Sequence, residues 1–217
     1  MASTYDDRLN RSRRRALVAH LCERGIDNER VLRAIEQVPR HAFVEPAFKE
    51  RAYEDEALPI GQSQTISQPF TVAYQTSLLN PQPGERILEV GTGSGYQAAV
   101  LCEMGAQVFS IERHKALLQR AKRKLRALDY NVRTRHGDGT EGWRGMSPFH
   151  GIIVTAGAEE VPEPLLDQLH EEGGRLVIPV GAAGSHTMKR IVRTGPDTYE
   201  RESLDAFRFV PLVNEDE

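Results

Sequence analysis

The sequence predicts an α/β fold: a doubly wound, mostly parallel sheet, preceded by amino-terminal helices and closed by an antiparallel strand pair. Two observations carry this. From residue 85 onward, short strands rich in Val and Ile alternate with helical stretches, as in parallel sheets covered on both faces. A glycine-rich stretch also lies between the first of those strands and the helix after it, where such sheets bind ligands.

Residues 6–24 and 27–37 read as amphipathic helices, with Leu17, Val18 and Leu21, then Val31, Leu32 and Ile35, at helical spacing. Gly25 separates them and Pro39 stops the second. The stretch 40–66 reads as irregular, because Pro46, Pro59 and Gly61 interrupt it. Pro69 suits a first helical position, where its missing N–H is not needed. Ser67 or Gln68 is then the cap, and the helix runs to Leu79 before a break at 80–84 (NPQPG). Strands follow at 86–90, 107–111, 131–135, 151–155 and 175–180, with helices at 96–104, 114–128 and 163–170. Residues 187–193 and 199–210 form the closing pair around Gly195, Pro196 and Asp197. The end, 214–217, is a short acidic tail.

Composition narrows the function. Basic and acidic residues number 28 and 31 in a chain of 217, whereas a nucleic-acid-binding domain is usually markedly basic. Cys22 and Cys102 form no C-x-x-C pair and the seven histidines have no ligand spacing, so neither a metal site nor a disulfide is expected. No apolar h-region opens the chain, and no apolar run approaches about 18 residues. The expectation is a cytoplasmic monomer that binds neither nucleic acid nor membrane.

The chemistry concentrates in Glu89-Val90-Gly91-Thr92-Gly93-Ser94-Gly95. Alternating glycines let backbone pass close under a ligand, and a helix N-terminus offers free N–H groups. Glu89 would sit near a cofactor ammonium or order the loop. Glu112, ending the second strand, is placed to accept from two ribose hydroxyls. Asp138 in Gly137-Asp138-Gly139 could accept from an adenine amino group. The stretch from Gly93 to Ala98 also satisfies the G-x-G-x-x-A dinucleotide fingerprint. S-adenosylmethionine is the better match, because Glu89 would repel a pyrophosphate and no second catalytic domain serves a hydride acceptor. That reading makes the fold a Rossmann-like sheet of the class I S-adenosylmethionine-dependent methyltransferase type.

Over nearly its whole length the chain resembles the protein-L-isoaspartate O-methyltransferase family. The resemblance rests on LPIGQSQTISQP (58–69), LEVGTGSGYQ (88–97), RHGDG (135–139), IIVTA (152–156), GRLVIPVG (174–181) and RFVPLV (208–213). It implies methyl transfer from S-adenosylmethionine to the free carboxylate of L-isoaspartyl residues in damaged proteins, whose esters collapse to a succinimide. It also implies one methyltransferase domain over 1–217, with helices and a substrate and cofactor loop in 1–80 and the core in 81–217. Ser67 matches the family's active-site serine, with Thr65 beside it. The implied cofactor contacts are Gln64, Thr65, Ile66 and Ser67, then Gly91, Gly93 and Gly95, then Glu112, Asp138 and Gly139. Ile66 and Ser67 with Phe207, Arg208 and Phe209 are implied to hold the substrate peptide. Two positions depart from the family pattern: Ser63 stands where glycine is common, and Gly157 where V-T-A-A has alanine. A methyltransferase of the same fold acting on a small molecule or RNA is the alternative.

The residue types suit this reaction. A carboxylate with a pKa near 4 is already ionised at neutral pH and needs no general base. What remains is alignment, which can supply roughly 7–11 kcal/mol. A cation gripping the reacting oxygens would favour the anionic ground state over the transition state. No Arg or Lys is therefore expected against them, and Arg208 is expected to support its strand or meet the peptide backbone.

Overall fold

The computed structural model describes residues 7–182 and 184–212; Val213 and the acidic tail 214–217 lie outside the described residues. Side-chain caps set where the first helices begin. Asp7 accepts from the Asn10 amide (2.7 Å) at the head of α1 (Arg8–Glu23). Asn28 accepts from the Arg30 and Val31 amides at the head of α2 (Glu29–Gln37). Such oxygens satisfy amides that a first helical turn leaves open, so both helices start later than the expected residues 6 and 27.

The stretch 40–66 is more ordered than its prolines suggest. It holds two 3-10 turns and an antiparallel ribbon, β1 (Leu58–Gly61) with β2 (Gln64–Ile66). Pro59 is tolerated because the ribbon has only two strands and hence only edges. Its turn residues Gln62 and Ser63 have φ of +55° and +53°, the sign pattern of a type I′ turn. Ser63 therefore occupies a left-handed position that glycine would fill without strain.

Helix α3 (Pro69–Leu79) begins after Gln68, and no side chain of its own segment caps it. The cap is tertiary. Asp55 accepts from the Phe70 amide through its carboxylate (2.8 Å) and from Gln68 Nε2 through its carbonyl (2.9 Å). Arg24, just past α1, ion-pairs with the same carboxylate and lies over the Phe70 ring.

The alternating half folds as expected. The elements are β3 (Arg86–Val90), α4 (Tyr96–Glu103), β4 (Gln107–Glu112), α5 (Lys115–Ala127), β5 (Val132–His136), β6 (Gly151–Val154), α6 (Glu163–Asp167), β7 (Arg175–Val180), β8 (His186–Gly195) and β9 (Thr198–Phe207). The sheet order is β5-β4-β3-β6-β7-β8-β9, parallel through β7 and antiparallel at β8 and β9. Pleating divides the apolar residues between two faces. Ile87, Val108 and Ile153 meet the amino-terminal helices and α4, whereas Leu88, Val90 and Ile152 pack with Phe149 and α6. Helix α6 ends well short of the expected residue 170. Phe149 pairs with Leu169, its amide donating to Gln168 O and its carbonyl accepting from His170 N, which draws 168–170 out of the helix. Strand β9 likewise stops at Phe207, not 210, because residues 210–212 leave to pair with Gly157.

Candidate active site

Strand order reverses between β3 and β6, and a cleft opens at their carboxyl ends, as expected for a doubly wound sheet. Its floor is built by close backbone approach. Thr155, just past β6, donates its hydroxyl to the carbonyls of Gly91 (2.8 Å) and Val90 (3.1 Å). Gly91 has φ +98°, and a Cβ there would lie 2.5 Å from that hydroxyl. A Cβ on Gly139 would lie 2.3 Å from Val90 Cγ1, so only glycine fits either position. Glu112 ties the loop to β4, accepting from the Gly93 amide (2.7 Å) and the His114 amide (2.8 Å). Each oxygen keeps a second lone pair, and Glu112 lines the cleft.

The cleft brings together Gln64, Thr65, Ile66 and Ser67 from the ribbon with Gly91, Gly93, Glu112 and Gly139 from the sheet. Three residues expected at the cofactor are placed off this wall. Gly95, at φ +90°, caps α4 and gives its bare face to Leu125 and Ala121 of α5. Asp138 spends Oδ1 on the amide and hydroxyl of Thr140, both at 2.8 Å. Glu89 is fully buried on the sheet face it shares with Ile87. Its Oε2 accepts from Ser110, whose hydroxyl is 2.5 Å from that of Thr92, and the Ala98 amide of α4 also faces the carboxyl. Burial pushes its carboxyl up to about 8 against the Ser110 hydrogen bond, with the charge of Glu112 adding to the rise. Glu89 thus props the loop from behind.

A second, wider groove meets the cleft at Thr65, Ser67, Thr155 and Val210, which line both. No basic side chain is among those four. The groove is lined by Phe207, Arg208 and Phe209, whereas Ile66 is buried toward the cleft alone. Arg208 is exposed. Phe70, Tyr74 and Phe207 stack along one side, and Tyr74 donates to Asp205 (2.7 Å). The Ser67 hydroxyl has no protein hydrogen bond among the described residues.

The resemblance implies a carboxy-terminal strand over 207–212 that helps hold the substrate, but Val210, Pro211 and Leu212 leave that strand as a strap that lines the cleft. Gly157 holds it at both ends, donating to Val210 O (2.8 Å) and accepting from Leu212 N (2.7 Å). The departure at Gly157 now has a reason. The buried His186 ring fills the space beside it, and a Cβ at 157 would lie 2.1 Å from His186 Nε2. Gly157→Ala is expected to destabilise the fold by about 1–3 kcal/mol, and by much less in a His186→Ala background, where the ring is gone. Urea unfolding checks this; equal losses in both backgrounds would rule out the steric coupling.

Comparison with known proteins decides the lineage. The family model described as Protein-L-isoaspartate(D-aspartate) O-methyltransferase (PCMT) matches residues 12–217. The chain belongs to this family. A protein-L-isoaspartate O-methyltransferase of Salinibacter ruber is 63% identical, covering 100% of this chain and 98% of its own length. One from Cytophaga hutchinsonii is 50% identical over 97% of this chain and 95% of its own. Among solved structures, a putative protein-L-isoaspartate O-methyltransferase from Plasmodium falciparum in complex with S-adenosyl-L-homocysteine superposes with TM-score 0.79. It has 26% identity, covering 92% of this chain and 98% of that one. A further protein-L-isoaspartate O-methyltransferase structure gives TM-score 0.80 at 29% identity over 91% of this chain, which spans 65% of that longer protein.

Proposed function

We propose that this chain transfers a methyl group from S-adenosylmethionine to the free carboxylate of L-isoaspartyl residues, opening repair through a succinimide. The observation that carries the reading is Ser67. Its hydroxyl, without a hydrogen-bond partner among the described residues, stands where the cofactor cleft and the aromatic-sided groove meet. The reading of one domain over 1–217 is supported by the described residues, where Leu17, Leu21 and Ile35 of the first helices share a core with Ile87 of β3.

The cleft fits the cofactor. Gly91 and Gly139 tolerate no side chain, so backbone walls stay bare, and Glu112 retains acceptors for a diol. When bound, S-adenosylmethionine supplies a methyl group on a positively charged sulfur. Glu112 and the Gly91 to Gly93 turn hold the donor, with Gln64, Thr65 and Ile66 closing over it. The Ser67 hydroxyl donates to the isoaspartyl carboxylate and turns one oxygen toward the methyl carbon. The donor held there would supply its methyl to that oxygen and would leave as S-adenosylhomocysteine, its sulfur retaining the electron pair of the broken bond. Thr65 flanks this alignment, while Phe207, Arg208 and Phe209 hold the peptide. A hydroxyl orients the anion without the ground-state stabilisation of a full positive charge.

Damaged proteins and peptides are the partners in this reading, and the protein works as a cytoplasmic monomer on neither nucleic acid nor membrane. Among the described residues no helix is long and apolar enough to cross a membrane. The test uses labelled S-adenosylmethionine and two peptides identical except for an isoaspartyl or aspartyl linkage. Base-labile label in the isoaspartyl peptide alone is the expected result; label in neither, or equal label in both, overturns the reading.

A further inference from the structure

We propose that Arg120 is a positioning residue for the cofactor: it holds the β1–β2 ribbon down on the glycine loop and so sets how long the cofactor stays. The inference rests on the cofactor reading above.

The ribbon needs an outside anchor. Two-stranded hairpins are marginal in water on their own, and this one turns through two non-glycine residues at positive φ, a conformation that costs roughly 1–2 kcal/mol per residue. Yet its second strand carries Gln64, Thr65 and Ile66 onto the cleft wall. Ile60 of the first strand reaches Gly93, its Cδ1 standing 3.5 Å from where a Cβ on that glycine would be.

Arg120, on α5, supplies the anchor. Its Nη2 donates to the Ile60 carbonyl, and Nη1 donates to Glu45 Oε1 at 2.7 Å. The guanidinium also lies 3.2 Å from the position of a Cβ on Gly61, so glycine lets it sit flat against the ribbon. The next residue, Ala121, packs with Leu125 on Gly95 at the far end of the glycine loop. One helix therefore sets both walls of the cleft in register. Arg120 is not on the cleft wall and acts through Ile60. Its ion pair with Glu45 is about a third exposed on each side (37% and 37%) and is screened by water. The bond to the Ile60 carbonyl, whose geometry Glu45 fixes, carries the effect.

The test measures S-adenosylhomocysteine dissociation by stopped flow and affinity by calorimetry, with the Michaelis constant for an isoaspartyl peptide measured alongside. Arg120→Ala is expected to release the ligand roughly tenfold faster, the scale of losing one charge-assisted hydrogen bond. The peptide Michaelis constant should stay within twofold, because Ser67 is held from the other side through Asp55 and α3. Arg120→Lys should fall between, since an ammonium lacks the fork that spans both partners. Release from Arg120→Ala within twofold of the unaltered protein overturns the proposal, as does a parallel change in both constants. If Arg120→Ala does not fold, Arg120→Lys decides in its place: faster release supports the latch, and an unchanged rate overturns it. Failure of the unaltered protein to bind S-adenosylhomocysteine would instead strike the cofactor reading, an outcome visible before any variant is compared.

Discussion

Replacing Ser67 by alanine is expected to lower turnover on an isoaspartyl peptide by roughly two orders of magnitude, the scale seen when one oriented donor is removed from a reacting oxygen. Cofactor affinity should stay within a few fold and thermal stability should not move. The separation follows from where the hydroxyl sits. By sequence, Ser67 was as plausible a helix cap as an active-site donor, and a lost cap would cost about 1 kcal/mol. The structure gives the cap to Asp55, whose carboxylate takes the Phe70 amide, and leaves the Ser67 hydroxyl without a protein partner among the described residues. Ser67→Ala therefore removes no bond that holds the fold. Single-turnover rates, calorimetry with S-adenosylhomocysteine and a melting curve check the three parts. Unchanged turnover would take Ser67 out of the site; a fall in stability matching the fall in rate would return it to a structural role.

The two halves of the chain differ in how much their residues disclose. The 86–180 stretch was legible because strand and helix periods alternate and most breaks carry a glycine or proline, so only ends moved. Those ends moved for tertiary reasons. The pairing of Phe149 with Leu169 shortened α6, and the hold of Gly157 on the strap shortened β9. The β1–β2 ribbon was hidden because Pro59 and a turn of Gln62 and Ser63 carry none of the usual hairpin signals. The glycine loop named the cleft, yet it could not distinguish the glycines facing ligand from Gly95, which faces α5. Asp55 and Arg120 left no local trace at all, and Thr155, although inside IIVTA, gave no sign of its hold on the glycine loop. Each acts across 15 or more residues of chain, and single residue types without spacing mark no motif.

Glu89 yields the other large effect, and its sign can be worked out. The carboxyl is fully buried with one hydroxyl donor, from Ser110. The charge of Glu112, at the end of the neighbouring strand, adds to the rise, while the Ser110 hydroxyl and the Ala98 amide oppose it. The folded group therefore binds its proton up to about pH 8, whereas the ordinary value is 4.5. Between those values the folded state holds more protons than the unfolded one, so stability falls as pH rises, on the order of 1 kcal/mol per pH unit. Below 4.5 the full contribution is present; above about 8 the loss is complete. Glu89→Gln keeps the shape and cannot ionise, so it lacks this slope. The variant should gain on the unaltered protein steadily from pH 5 to pH 8 in urea unfolding, whatever offset separates the two at pH 5. Parallel curves across that range would mean that Glu89 is solvated or paired when folded. The same ionisation should reach the site, because Ser110 links Glu89 to Thr92 inside the glycine loop. S-adenosylhomocysteine affinity should then weaken above pH 8 in the unaltered protein and hold steady in Glu89→Gln, which ties the buried carboxyl to the cleft it never touches.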